Sequence, residues 1–346
     1  MIRPSIGSVR VRRAALRDDD LKMSVRVNAK QVSLFAIFIL LTLTLTLNHA
    51  YATTIPVGSH PTEVAYDSHL NEIFVSNYDS GSGDTVSVIS DATNTVIANI
   101  TVGGGPAGIS FDPNKKEVFV ADEDFGTVSV ISDATNKVTA NITVGSAPVG
   151  VGFDPHLNEI FVSNFRSNTV SVISDATNML IETITVGDGP VGIAIDSNLN
   201  EIFVSNFRSN TISVISDTTN KIMATINVGS YPHGLAFDPN KKEVFVADEG
   251  LGAVSVISDA TNKVTANITV GINPANVVFD PHLNEVFVSN YDSGSGNTVF
   301  AISDTTNTLT KTVTVGSGPY GVAFDSNKRE VFVANNVSGT ISVLSG

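Results

Sequence analysis

Short runs in which apolar and polar residues alternate make up most of this chain, as in Thr169-Val170-Ser171-Val172 and Thr127-Val128-Ser129-Val130. A spacing of two, carried by Val, Ile and Thr, predicts β-strands and leaves no room for helical periodicity. Turn signals bound the runs. Between Val144 and the next Val-Gly at Val186, the pattern predicts strands over residues 149–153, 159–164, 169–174 and 180–186. Asp154-Pro155 separates the first pair, and Asp175-Ala176-Thr177-Asn178 separates the last pair. Asp, Asn and Thr favour such corners because their side chains hydrogen-bond their own backbone.

This four-strand unit recurs. V-G-x-x-P-x-G, an apolar run ending mostly in Phe-Asp, E-[IV]-F-V-x-[ND] and S-D-x-T-N follow one another from Val57, Val102, Val144, Val186, Val228, Val270 and Val315. A repeat of roughly 42 residues, each unit supplying four short antiparallel strands, is the arithmetic of a β-propeller. The fold class expected is therefore all-β, a seven-bladed propeller. The last unit ends after a third strand over residues 340–344, while residues 53–57 (Thr-Thr-Ile-Pro-Val) read like the fourth strand of other units. The N-terminal strand should thus complete the last blade and close the ring, which removes an exposed sheet edge.

Residues 1–52 read differently. Arg26 and Lys30 precede an uncharged apolar stretch over residues 32–47, followed by Ala50-Tyr51-Ala52, a small-x-small pattern. That is the layout of a signal peptide cleaved after Ala52, with Met23 as an alternative start. The division expected is 1–52 as N-terminal extension and signal peptide, and 53–346 as the propeller. Membrane contact is expected only through the signal segment if it stays uncleaved. The first 52 residues hold 8 of the 20 Lys and Arg and 3 of the 34 Asp and Glu, leaving 12 basic against 31 acidic residues, a net charge of −19. Such a body disfavours nucleic acid and favours basic or cation-bridged partners. The chain has no Cys, which excludes disulfides and thiolate metal sites.

The wording of the blades resembles the YVTN-type β-propeller repeat family of archaeal surface-layer and other secreted prokaryotic proteins. Phe74-Val75-Ser76-Asn77, Phe161-Val162-Ser163-Asn164 and Phe332-Val333-Ala334-Asn335 stand where the family has its naming strand, with Phe in place of Tyr. The resemblance spans the whole propeller and implies a secreted or cell-surface location. It implies no single activity.

Candidate chemistry sits where the blades differ. Asp67, Asp112, Asp154, Asp196, Asp238, Asp280 and Asp325 share one turn, and Asp91, Asp133, Asp175, Asp217, Asp259 and Asp304 share another, so both sets read as turn formers. His69, His156 and His282 recur in a surface turn and are expected to be solvated. Around the mouth, the residue after the repeat proline runs Thr62, Ala107, Val149, Val191, His233, Ala275, Tyr320, and the next is Gly except at Glu63 and Asn276. His60, Glu63, His233 and Tyr320 supply the acid–base types of a hydrolase or lyase, the alternative reading. Acidic loops at Asp122-Glu123-Asp124 and Asp248-Glu249 offer carboxylates for a divalent cation such as calcium. The insertions Tyr78-Asp79-Ser80-Gly81-Ser82-Gly83 and Tyr291-Asp292-Ser293-Gly294-Ser295-Gly296 raise one sector of the rim, and with Tyr231 these residues form the candidate binding surface. Asn99, Asn141, Asn267 and Asn336 begin N-x-[ST] glycosylation sequons.

The sister-like loops of blades 1 and 6, 2 and 5, and 3 and 4 suit a binding or structural module more than a tuned catalytic centre. The function expected is a secreted or cell-surface module for a surface protein or polysaccharide, without an organic cofactor.

Overall fold

The computed structural model describes residues 53–78 and 84–345. The proposed signal segment with its cleavage at Ala52, and Asp79 with the rest of the first Gly-Ser insertion, lie outside the described residues. Strands run from β1 (Thr53–Pro56) to β28 (Thr340–Ser345) and form seven four-stranded antiparallel sheets. Blade 3 is typical: β10 (Pro148–Asp154), β11 (Glu159–Asn164), β12 (Thr169–Ser174) and β13 (Met179–Thr185) pair in sequence order. First strands of neighbouring blades pack on one another around the centre, and fourth strands face outward with mostly exposed side chains.

The ring closes as the sequence predicts. β1 pairs antiparallel with β28 in the register Thr53↔Val343 to Pro56↔Thr340. Ile55 is only 3% exposed, and the Val57 amide donates to the Gly339 carbonyl at 3.1 Å. The last blade is thus built from both ends of the propeller.

The core lies between the blades. Second and third strands carry continuous apolar runs because both of their faces are covered. Phe119, Val128, Val130 and Ile142 of blade 2 interlock with Ile160, Val162 and Ile173 of blade 3. A phenylalanine from the second strand is fully buried in six blades, for example Phe161 and Phe203. Serine latches add directionality. Ser163 Oγ donates to the Val191 carbonyl of the next blade at 2.5 Å and accepts from the Gly150 amide at 2.8 Å. Ser76, Ser205 and Ser289 make the corresponding bonds to Ala107, His233 and Tyr320.

The shared aspartates act as turn formers. Asp67 Oδ1 accepts the amides of His69 and Leu70 at 2.7 and 3.3 Å, and Asp196 does the same with Asn198 and Leu199. Asn178 takes up φ 52° at the corner between third and fourth strands, a left-handed conformation that asparagine tolerates. His69 and His156 depart from the sequence reading. Their Nδ1 atoms bond Asp133 and Asp217 of the following blade at 2.8 and 2.7 Å, because adjacent blades bring these turns together. They are half-exposed and paired across the blade boundary, not simply solvated.

Candidate functional site

The first strands converge on a central cavity of about 520 Å³, open at the face that carries the second-to-third loops. Its floor is small and apolar, because Gly108, Gly150 and Gly192 line it beside Ala107, Val149 and Val191. Glycine is required there. A Cβ on Gly150 would lie 2.1 Å from the Val191 carbonyl oxygen, and one on Gly192 would lie 2.3 Å from that of His233.

The two breaks in this glycine column define the site. Glu63 of blade 1 and Asn276 of blade 6 reach across blade 7, and Asn276 Nδ2 donates to Glu63 Oε2 at 2.6 Å. Space for the link comes from glycines opposite. A Cβ on Gly321 would meet the Glu63 Cα at 2.6 Å, and a Cβ on Gly234 would meet Asn276 Oδ1 at 2.1 Å. Depth in the cavity pushes the Glu63 carboxyl up to about 8, against the smaller opposing effects of the Val64 amide and Asn276.

His233 and Tyr320 form the second feature. They occupy the same repeat position in blades 5 and 7, and the Tyr320 hydroxyl shares a 2.7 Å hydrogen bond with His233 Nε2. Burial lowers the imidazole to about 4, with the Ala275 backbone opposing weakly, so the ring is neutral near pH 7. Burial, with Glu249 and Glu63 nearby, raises the tyrosine hydroxyl above its ordinary value. His233 Nδ1 is buried, and no side chain hydrogen-bonds it.

Rings continue outward from this pair. Tyr291 meets Tyr320 edge-on at 5.3 Å, and Phe207 meets His233 edge-on at 6.2 Å. Tyr231, 48% exposed, stacks on Phe207 at 4.9 Å. Tyr78, Glu123, Glu249, Tyr291 and Asn336 complete the polar wall. Burial raises both Glu123 and Glu249, with Asp124 adding to the effect on Glu123.

The remaining sequence candidates are dispersed. His60 is exposed, outside the cavity wall, with φ 47°. Asp122 and Asp248 point into their own blades. Asp122 accepts from Thr127 and Ser129 at 2.9 and 2.8 Å, and Asp248 from Ser255 at 2.5 Å. Burial still pushes both up to about 6. Asp124 is exposed, and Asp292 begins a 3-10 turn, Asp292–Gly294, where it accepts from Ser295. Asn99, Asn141 and Asn267 are exposed on fourth strands, whereas Asn336 turns inward and donates to the Pro61 carbonyl at 3.3 Å. The sequon pattern at Asn336 carries no hint of this contact. Its place after the second strand, matching Glu123 and Glu249, was the available signal for the cavity wall.

No family model and no curated protein matches the chain. Among solved structures, a chain of hydrazine synthase from Kuenenia stuttgartiensis is similar, with 18% identity, a TM-score of 0.73, and coverage of 83% of this chain and 96% of that one. At that identity the likeness concerns the propeller fold alone.

Proposed function

We propose that this chain is a secreted or cell-surface binding module, of the YVTN type its blades resemble, exported through residues 1–52. Its central mouth takes a hydroxyl- or ammonium-bearing group of a surface polysaccharide or basic protein segment. One observation carries the reading. Among the described residues, the cavity wall sets Glu123 and Glu249 beside Tyr78, Tyr291 and Tyr320, adds Glu63 as a carboxyl that is neutral near pH 7, and includes no Lys or Arg. Aromatic faces and carboxylates suit polar or cationic groups, and an anionic body adds long-range attraction for the same ligands. Anionic polymers would meet repulsion at every scale.

The protein has no Trp and six Tyr, so tyrosine fluorescence reports on the mouth. Titration with basic peptides, amino-sugar oligomers, neutral glycans and anionic glycans should quench with the first three and not the last. Glu123→Gln with Glu249→Gln should weaken the cationic ligands about tenfold, and salt should do likewise. Preference for anions, or indifference to the double variant, would overturn the reading.

The His233–Tyr320 bond favours a second reading, a lactonase- or lyase-like activity in which neutral His233 acts as base. Turnover of a lactone or ester panel that is lost in His233→Ala would establish it.

A further inference from the structure

On the face opposite the mouth, and among the described residues, the turn after the first strand of blades 1 to 5 and 7 meets the third-to-fourth turn of the next blade. Each junction buries carboxylates, and the blades balance that charge differently. In blade 7 the Lys328 ammonium stands 3.0 Å from Asp91 beside Asp325 and Glu330. In blade 2 Lys115 lies 3.3 Å from Asp175. These junctions carry their own cation. Blades 1 and 3 have Leu70 and Leu157 at the lysine position and a histidine one residue earlier.

At the first of these, ligand atoms of Asp67, His69 and Asp133 lie within 4.8 Å of one another. Asp67 and Asp133 are 0% and 2% exposed, and Asp67 Oδ2 has no hydrogen-bond partner despite complete burial. Glu72 borders the cluster with its own buried, unpartnered Oε2. His69 remains half-exposed and gives solvent access. The second junction brings together the same residue types, Asp154, His156 and Asp217, edged by the unpartnered Glu159 Oε2, while Asp154 Oδ2 accepts the Leu157 amide at 3.3 Å.

We propose that the blade 1–2 and blade 3–4 junctions are two equivalent sites for a borderline divalent cation of the zinc or manganese type, held by one imidazole Nδ1 and two aspartates. Imidazole with carboxylates selects such ions over calcium or magnesium, and the ion would tie adjacent blades together. His69 Nδ1 and Asp133 Oδ2 lie 2.8 Å apart, sharing a proton in a hydrogen bond. The cation replaces that proton, and the two atoms separate slightly to reach the roughly 3.3 Å edge set by bonds of about 2.0–2.1 Å. Among the described residues His282 belongs to no such cluster. Its ring packs near Phe324 at 5.8 Å, with no aspartate of a following blade opposite it among the described residues.

The test is calorimetric titration of chelator-treated full-length protein with zinc chloride, beside calcium chloride. Two equivalents of zinc are expected, with calcium at least tenfold weaker. His69→Asn and His156→Asn should each remove one equivalent and the pair both; asparagine already stands at this turn position in blade 4, as Asn198, so the fold tolerates it. Asp133→Asn should weaken one site at least tenfold with the apo melting curve preserved. Absence of zinc binding, two equivalents retained in the double histidine variant, or calcium binding as tightly as zinc would each overturn the proposal.

Discussion

Glu63→Gln isolates the energetic consequence of placing a carboxyl deep in the mouth. The group titrates near 4.5 in an unfolded chain and is pushed up to about 8 in the folded one. Between those values the folded state holds a proton that the unfolded state has released. Stability from this site is therefore fully present below about 4.5 and lost as pH rises through about 8. Each unit of difference corresponds to about 1.4 kcal/mol, which would give roughly 5 kcal/mol for a carboxyl sealed from water. Glu63 opens onto the cavity, where water relaxes part of that cost, so about 1–3 kcal/mol is expected.

Gln mimics the protonated acid and keeps an oxygen for the Asn276 amide, so the variant should match the wild type at low pH. Above pH 8 it should be the more stable by that amount. Urea unfolding of both proteins at several values between pH 4 and 9 measures the difference directly. Asp122 and Asp248, pushed up to about 6, also make stability fall with pH, but they act equally in both proteins and cancel. Parallel stability curves for variant and wild type across this range would refute the reasoning, as would a Gln variant less stable at high pH.

Ile55→Ala should cost about 2–4 kcal/mol, because Ile55 anchors the closing strand in the core; thermal melting reads this, and an unchanged midpoint would count against β1 as the clasp. Gly150→Ala should cost about 1–3 kcal/mol by forcing apart two first strands, whereas Gly339→Ala, whose nearest atom would be 3.6 Å away, should pay only for its positive φ.

The fold was legible because a propeller repeats its local code. Strand period, Asx turns and the β1 clasp each follow from a few neighbouring residues. The site was legible only as single positions. Glu63 and Asn276 stood out as breaks in a glycine column, yet 213 residues separate them, and only ring closure brings them to 2.6 Å. Asp122 and Glu123 looked alike in one acidic loop, but strand alternation turns Asp122 toward Ser129 and leaves Glu123 on the cavity wall. The histidines of blades 1 and 3 looked solvated because their aspartate partners lie more than sixty residues onward, in the next blade.

Repetition and its interruption therefore do separate physical jobs in this chain. Positions alike in every blade supply turns, core and the narrow glycine floor, and substituting one of them disturbs packing first. Seven identical first strands would form a uniform small-residue channel with no polar group to orient a ligand. Glu63 breaks that symmetry in blade 1, Asn276 in blade 6, and His233 with Tyr320 in blades 5 and 7. These four occupy one sector of the mouth, under the rim raised by Tyr291 and its Gly-Ser insertion. Blades 2 to 4 contribute apolar residues at the corresponding positions, Ala107, Val149 and Val191. At the level of the first strands a ligand thus meets a polar wall on one side and an apolar wall on the other. That asymmetry fixes orientation as well as affinity, and it predicts that Val149→Asn would misdirect a ligand without unfolding the ring; binding by fluorescence titration, with an unchanged melting point, would show it.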